Sequence, residues 1–328
     1  MKRLIRKIFI FLLPIVILGI ILEISLRQIP NNYLKKKEFL DSRAGEIETL
    51  ILGNSHTLFG LDPAYFSGKC FNASHVAQYW EYDLAILEKY KDKFKNLKTV
   101  ILPLSYASFF AKFKDGLESW RVKNYVIYYG IKNTEHSLAD YSEVLSNNLS
   151  TSMQRLESFY VKGRPEISCT DLGWGTSYST RPATVSLEKT GIRNARLHTI
   201  SSFKYFDENV ATLRSIISIF NKRGVKVILF MPPAYQSYRL HLNKKQLNLT
   251  TSTAQKIVGE FNNCWYFNLL NDPAFTADDY YDADHLNEQG AKKLSVFFNK
   301  LVNQINGNTP NWHLPSQTLQ ASLSLGQQ

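Results

Sequence analysis

The longest apolar run of the chain lies near its start, where residues 8–26 read IFIFLLPIVILGIILEISL. As a helix rising about 1.5 Å per residue, this run would cover about 28 Å, close to the roughly 30 Å apolar thickness of a bilayer. Four basic residues at positions 2–7 precede it, and no convincing small-x-small cleavage site follows it. The pattern predicts an uncleaved signal anchor, one transmembrane helix over residues 1–27, rather than a buried core helix.

The charges beside this helix predict its orientation. The short basic N-terminal tail favours the cytoplasmic side, although Arg27 and Lys35 to Lys37 lie on the other side of the helix. We therefore expect a single-pass protein of the inner (cytoplasmic) membrane, with the rest of the chain on the periplasmic or extracytoplasmic side. Residues 28–45 are polar and basic, which predicts a linker.

Beyond residue 45, short apolar runs alternate with stretches whose apolar residues recur at helical spacing. Strands are predicted at 48–52, 70–73, 99–102, 225–231 and 265–269, and helices at 82–94, 203–223, 253–262 and 288–305. Strands separated by helices imply a mostly parallel sheet that is covered on both faces. The predicted fold class is therefore α/β, in one domain over residues 46–306.

Two parts of the chain break this alternation. Residues 111–200 are rich in Tyr, Ser and Asn and are predicted to be an insertion over the sheet, and the polar tail at 307–328 is predicted to be disordered. Aromatic side chains of the insertion either stack on sugar rings or simply pack it: Tyr125, Tyr128, Tyr129, Trp174 and Tyr178.

The composition and the absent motifs exclude several kinds of partner, metal site and cofactor. The 39 Lys and Arg against 28 Asp and Glu give a net charge of +11, much of it beside the apolar segment, which points to a membrane and to no nucleic-acid partner. Three cysteines without a C-x-x-C pair exclude a disulfide framework and a cysteine-built zinc site. No phosphate-binding loop, dinucleotide fingerprint or His-Glu-x-x-His occurs, so we expect no metal and no organic cofactor.

Candidate catalytic residues follow the first and the last predicted strands. Residues 53–56 read Gly-Asn-Ser-His, and residues 282–285 read Asp-Ala-Asp-His. In open α/β sheets, ligand-binding and catalytic residues usually lie at the carboxyl ends of the strands. A serine at one end and an Asp-x-x-His at another supply a nucleophile, a base and an orienting carboxylate.

Each of these residues also has a simpler interpretation. Ser55 alone is more typical of a helix cap or turn, and Asp-x-x-His is common in loops. His56 is an alternative base, but a residue adjacent to the nucleophile usually points away from it. Asp284 is expected to be a solvated loop carboxylate, and Asn287 the N-cap of the last helix. The other histidines, His198 among them, are expected to be structural or surface residues.

Taken together, the two motifs resemble the SGNH (GDSL-like) hydrolase superfamily over about residues 46–305. The chain looks most similar to its membrane-anchored bacterial members, the DltD/AlgJ-type envelope acyltransferases. The resemblance implies a three-layer flavodoxin-like parallel sheet of SGNH-hydrolase type. It also implies that Ser55 is the nucleophile, His285 the general base and Asp282 its orienting partner.

The middle of the family pattern is altered. The superfamily usually has a Gly after the second strand and an Asn after the third, both as oxyanion donors, where this chain has Asn-Ala-Ser at 72–74 and Leu-Ser-Tyr at 104–106. Replacement donors are predicted among Ser55, Ala73, Ser74 and Ser105. Losing one such donor typically costs about 10²–10³ in rate.

These patterns predict a membrane-anchored serine esterase or O-acyltransferase, acting through an acyl-serine on O-acetyl or related esters of a cell-envelope polysaccharide. Its expected partners are the glycan or its acylated precursor, a membrane acyltransferase, and membrane lipid through the anchor. One alternative is a non-catalytic anchored module that binds glycan or an assembly partner through a degenerate site. Another is a lipid esterase, which would need an apolar acyl channel.

Overall fold

A computed structural model describes residues 1–113, 116, 118–132 and 137–307. The chain divides into two compact units. The first comprises Met1–Glu38 and Leu117–Ser168, and the second comprises Phe39–Gly116 and Cys169–Gln328. Residues 308–328 of the predicted disordered tail lie outside the described residues.

The helices, in chain order, are α1 (Lys2–Arg27), α2 (Asn32–Arg43), α3 (Ser55–Gly60), α4 (Trp80–Tyr90), α5 (Val122–Ile127), α6 (Glu143–Ser146), α7 (Leu149–Leu156), α8 (Leu187–His198), α9 (Phe206–Asn221), α10 (Gln236–Arg239), α11 (Lys244–Gly259) and α12 (Glu288–Ile305). The strands are β1 (Thr49–Ile51), β2 (Cys70–Asn72), β3 (Thr99–Pro103), β4 (Lys226–Met231), β5 (Cys264–Asn268), β6 (Tyr280–Asp282) and β7 (His285–Leu286).

Helix α1 is long and apolar enough to cross a membrane. Its large apolar side chains point outward along most of its length; Phe11, for example, is 71% exposed. So continuous an apolar surface is unfavourable in water, and it suits the acyl chains of a bilayer. The helix is consistent with the predicted single-pass anchor.

The segment predicted as a linker contains helix α2. The side chain of Asn31 caps its start, since Oδ1 accepts hydrogen bonds from the amides of Tyr33 and Leu34. Tyr33 and Leu40 are buried, so this basic stretch keeps an apolar side despite its polar composition.

Within the first unit, a buried ion cluster joins α5, α6 and α7. The Glu143 carboxylate is fully buried and lies 2.7 Å from Lys123 Nζ and 2.6 Å from an Arg155 guanidinium nitrogen. A buried carboxylate needs such partners, because desolvation of an unpaired charge is costly.

A five-stranded parallel sheet forms the centre of the second unit, in the order β2-β1-β3-β4-β5. This is the flavodoxin-like order, with helices flanking the sheet, and it confirms the predicted α/β fold class. The strands are short apolar runs because both faces of the sheet are covered. Buried phenylalanines of β4, β5 and α12 fill one core, among them Phe230, Phe267 and Phe298.

The order of the sheet reverses at β1, whose neighbours are β2 and β3, and open α/β sheets bind ligands at such a switch point. Gly53 follows β1 with φ +105°, in the left-handed region that favours glycine. A Cβ there would lie 2.2 Å from Cδ of Pro103, so the close approach of the two strand ends also requires glycine.

The aromatic residues of the predicted insertion are used for packing. Tyr125, Tyr128, Tyr129 and Trp174 are all less than 10% exposed. Tyr178 is stacked between Phe59 and Tyr281, with ring centroids 4.0 and 3.9 Å away, so both of its faces are covered. The packing alternative therefore accounts for these five side chains. The three cysteines are buried, and among the described residues none of them is in a disulfide.

Candidate active site

The turn after β1 presents Ser55 as the first residue of α3. Asn54 caps this helix, with its Oδ1 accepting the amide of His56 at 3.1 Å. The buried Asn72 side chain donates to the carbonyls of Thr57 and Leu61 at the other end of the helix. In addition, the Gly53 amide donates to the buried Asp83 carboxylate at 2.8 Å. These bonds fix the position of Ser55 from both sides.

Asp282 and His285 occupy a two-stranded antiparallel hairpin formed by β6 and β7. The Asp282 carboxylate accepts the amides of Asp284 and His285 at 3.1 and 2.9 Å, which holds the turn closed. The next helix, α12, begins directly after the hairpin, and Asn287 is its N-cap, as predicted. The spacing of three residues therefore turns both side chains to one side of the hairpin.

The structure brings Ser55, His285 and Asp282 into one hydrogen-bonded series. Ser55 Oγ lies 2.8 Å from His285 Nε2, and His285 Nδ1 lies 2.9 Å from Asp282 Oδ1. Because a carboxylate can only accept, Nδ1 carries the proton that faces Asp282. This leaves Nε2 of a neutral His285 as the acceptor for the serine proton, which is the arrangement that activates a serine nucleophile.

A second carboxylate and a second imidazole lie behind this series. Asp284 is only 2% exposed, so the prediction that it is a solvated loop carboxylate is wrong. Asn194 donates to its Oδ1 at 2.6 Å, and His285 Nδ1 lies 3.6 Å from the same oxygen. Oδ2 has no hydrogen-bond partner among the described residues, and lies 3.6 Å from both His56 Nε2 and His198 Nδ1.

His56 does not point away from the nucleophile, contrary to expectation. Its ring lies parallel to that of His285, with the centroids 4.8 Å apart, and Nδ1 donates to Asn54 Oδ1 at 2.9 Å. Burial lowers the pKa of His56, although Asp284 attracts a proton to the ring. We therefore expect the ring of His56 to be neutral at pH 7.

The two carboxylates control the charge of His285. Burial by itself would lower the pKa of His285, but the charges of Asp282 and Asp284 and the bond to Asp282 outweigh it and raise that pKa to about 9. Burial would likewise raise the pKa of Asp284, yet the neighbouring imidazoles, His285 first, hold it well below its usual range. Below pH 9, His285 is therefore protonated in the protein without substrate.

This charge state predicts an alkaline pH profile. Only neutral His285 can accept the Ser55 proton, so kcat/KM for an ester should rise with pH and reach its half-maximum near pH 9. Asp284→Asn removes one of the attracting charges, and should move the midpoint down by about one pH unit. Both profiles are measured by steady-state hydrolysis of a chromogenic ester between pH 5 and 10.5.

Asp278→Asn is the matched control, because Asp278 is an exposed carboxylate four residues before Asp282. That variant should keep the wild-type midpoint. A wild-type midpoint near 6.5, or an Asp284→Asn profile that coincides with the wild type, would contradict the assigned charge state.

Two of the four predicted oxyanion donors lie at the site. The Ser55 amide is the first of α3, and it has no hydrogen-bond partner among the described residues. The Ser105 hydroxyl follows β3 and lies 3.5 Å from Asn54 Nδ2 and 2.9 Å from Ser108 Oγ. These groups border the turn that carries the nucleophile.

The other two predicted donors are engaged elsewhere. The Ala73 amide donates to the carbonyl of Ile51 at 2.8 Å, extending the pairing of β1 with β2. The Ser74 amide donates to Asn72 Oδ1 at 3.0 Å, and its hydroxyl donates to Thr57 Oγ1 at 2.9 Å. Both residues are fully buried, so neither offers a donor to a bound substrate.

His56, Asp284 and His285 also have ligand atoms within 4.8 Å of one another, which raises the question of a metal. The fit is poor, because Nδ1 of His285 faces Asp282 and Nε2 faces Ser55, so both nitrogens are already in hydrogen bonds. A cation bound there would have to break one of those bonds. The donor set therefore suits proton transfer better than metal binding.

Sequence reasoning missed the roles of Asp284, His56 and Asn194. The first two are adjacent to predicted site residues, so their position in the sequence was a usable signal. Asn194 lies on α8, 90 residues before Asp284, and no pattern in the sequence connects the two.

The model of a family described as "Protein of unknown function (DUF1574)" matches residues 52–295, which is more than two thirds of the chain. Among curated proteins, none matches the sequence. A solved structure from Streptococcus pneumonia, named as a candidate platelet activating factor, is similar at 10% sequence identity and a TM-score of 0.41, over 89% of this chain and 98% of that chain. From the family match, we conclude that the chain belongs to the DUF1574 family.

Proposed function

We propose that this protein is a membrane-anchored serine ester hydrolase or O-acyltransferase of the SGNH type. The observation that carries the proposal is the series from Asp282 through His285 to Ser55, with hydrogen bonds of 2.9 and 2.8 Å at the end of β1. Ser55 lies 230 residues before His285, yet it meets the Asp282–His285 pair in the order that a nucleophile, a base and an orienting carboxylate require.

In the proposed reaction, neutral His285 takes the proton of Ser55 as Oγ attacks the ester carbonyl. The Ser55 amide, with Ser105 and the Asn54 side chain beside it, donates to the oxyanion. The tetrahedral intermediate then expels the alcohol, which takes its proton from His285, and an acyl-serine remains. Water, for hydrolysis, or a sugar hydroxyl, for transfer, then gives its proton to His285 as its oxygen attacks the acyl carbonyl. The bond from the acyl carbon to Ser55 Oγ breaks, and His285 returns the proton to Oγ.

The apolar helix α1 supports a place at a membrane, and so a substrate within reach of one. Together with the resemblance to envelope acyltransferases, this favours an ester of a cell-envelope polysaccharide, on the extracytoplasmic side of the inner membrane. The acyl group in this proposal is acetyl or similarly small.

The alternative, a non-catalytic glycan-binding or assembly module, rests on the two predicted oxyanion donors that are engaged elsewhere, Ala73 and Ser74. The 2.8 Å contact between Ser55 and His285 favours the enzyme, because a degenerate site has no need to keep its nucleophile and base together.

A fluorophosphonate probe tests the proposal directly, since it phosphonylates activated serines far faster than ordinary ones. The full-length protein in detergent is incubated with the probe at pH 9, and the labelled peptide is identified by mass spectrometry. We expect one label, on Ser55, whose formation slows as the pH falls and His285 is protonated.

Ser105→Ala provides the matched control, because it removes a half-buried serine beside the same turn and leaves the nucleophile in place. This variant should still be labelled on Ser55, at most about 10²–10³ more slowly if the Ser105 hydroxyl donates to the oxyanion, whereas Ser55→Ala should not be labelled at all. A folded wild-type protein that stays unlabelled and hydrolyses no ester would favour the non-catalytic alternative.

A further inference from the structure

A cleft of about 290 Å³ opens beside the proposed catalytic series. Asp282, whose carboxylate accepts the Nδ1 proton of His285, is one of its lining residues, so a molecule in the cleft would lie close to the proposed catalytic series. Tyr178 and Tyr281, whose stacked rings have centroids 3.9 Å apart, also line the cleft. The other lining residues come from α8 and the stretch before it, including Thr184, Lys189 and Arg193.

The two cations of this cleft have no acidic partner among the described residues. Within the part of the chain that the structure describes, neither Lys189 nor Arg193 forms an ion pair, and the side chain of Arg193 donates only to Asn194 Oδ1, at 3.0 Å. Both side chains are exposed, and they lie four residues apart, on the same face of α8. The cleft therefore offers two positive charges to a ligand.

The one carboxylate in the wall does not cancel this charge. Asp282 Oδ1 accepts three N–H groups, the amides of Asp284 and His285 and the Nδ1 proton of His285, which stabilises its charge within the hairpin. Against this single carboxylate the lining has two cations, so the cleft keeps a net positive charge. Asp284 is buried behind it and is held by Asn194. A ligand entering from solvent therefore meets the cations of α8 first.

We propose that this cleft is a subsite for an anionic group, a carboxylate or a phosphate, that the substrate carries close to its ester. The inference rests on the proposed function and gives it a substrate class: esters of acidic rather than neutral glycans. Lys189 provides a point charge, and Arg193 provides a planar fork suited to carboxylate or phosphate oxygens. Both are specificity-determining residues for binding and take no part in the acyl transfer.

Two model esters, one neutral and one anionic, test whether the cleft recognises a negative charge on the substrate. Phenyl acetate and 4-acetoxybenzoate differ by one carboxylate on the leaving group, and the full-length protein in detergent hydrolyses both in the proposed reaction. We expect the wild type to have the lower KM for the anionic ester. Lys189→Gln with Arg193→Gln should raise that KM by about tenfold or more without lowering kcat, and leave phenyl acetate unchanged. Added salt should shrink the wild-type preference.

Arg196→Gln is the matched control, since it removes a cation from the same helix that lines a different cleft. Its KM for both esters should equal that of the wild type. Equal KM values for the two esters in the wild type, or a double variant that retains the preference, would overturn the subsite.

Calorimetric titration separates this inference from the proposed function, because it needs no turnover. Glucuronate and glycerol phosphate are titrated onto the wild type and the double variant, with glucose and glycerol as neutral counterparts. Binding of either anion that the double variant loses supports the subsite, even where no ester is hydrolysed, and shows whether carboxylate or phosphate is preferred. Anions that bind no better than their neutral counterparts would refute it, even where Ser55 is labelled.

Discussion

Replacing Ser55 with alanine is expected to lower kcat/KM for ester hydrolysis by about 10⁴- to 10⁶-fold. The variant loses the only atom that can form the acyl intermediate, while the amide of residue 55 and the groups around it still bind the ester. Ser55 Oγ makes one hydrogen bond in the described part of the chain, to His285, so the fold should not depend on it. Initial rates at pH 9 with phenyl acetate measure the effect, and thermal unfolding checks the fold.

A double variant sharpens this test. Since nucleophile and base act as a unit, Ser55→Ala combined with His285→Ala should be no slower than Ser55→Ala alone. Ser105→Ala is the control for removing a hydroxyl from this region, and it should lose at most the contribution of one oxyanion donor, about 10²–10³. Wild-type rates that survive Ser55→Ala would show that the hydrolysis has another source.

Asp282→Asn is expected to lower kcat by up to about 10⁴-fold, through loss of the charge beside His285. The same oxygen, Oδ1, accepts the amides of residues 284 and 285 and the Nδ1 proton of His285, so an asparagine with its carbonyl oxygen in that place keeps the turn closed and the ring protonated at Nδ1. The variant loses the negative charge that stabilises the imidazolium formed when His285 takes the proton of Ser55. Activity should therefore fall while the geometry is kept.

The comparison with Asp284→Asn makes the assignment specific. Asp284 lies 3.6 Å from Nδ1, too far for a hydrogen bond, so its loss should shift the pH midpoint and leave the maximal rate within about tenfold of the wild type. Asp282→Asn should lower the maximal rate at every pH. The reverse result would make Asp284 the orienting carboxylate and Asp282 the supporting charge.

The predicted oxyanion donors show one limit of prediction from the sequence. Ala73 and Ser74 follow β2 at the carboxyl edge of the sheet, which is the right region, but an amide at such a position can continue the strand pairing instead of facing the ligand. Here the Ala73 amide pairs with Ile51. Which of the two occurs depends on the neighbouring strand, and the neighbour is set by the topology of the sheet, not by the local residues.

Asp284 and helix α2 reveal a second limit. A charged residue in a loop is usually solvated, and a basic, polar segment usually lacks an apolar face. Asp284 is buried because Asn194 and three imidazoles surround it, and those residues come from α3, α8 and the hairpin. Burial of a polar group depends on partners that are distant in the sequence, so composition alone cannot predict it.

The sequence by itself determined the features that depend on neighbouring residues. The length of an apolar run distinguishes a helix that can span a membrane from a short strand covered on both faces. A glycine permits the turn after β1. The three-residue spacing turns Asp282 and His285 to one side. Only the tertiary structure decided which of the distant groups meet. It brought Ser55 within 2.8 Å of His285, placed Asp284 and His56 behind them, and left the cations of α8 facing a cleft. Contact, desolvation and mutual charge act through space, and the order of strands in the sheet sets those distances.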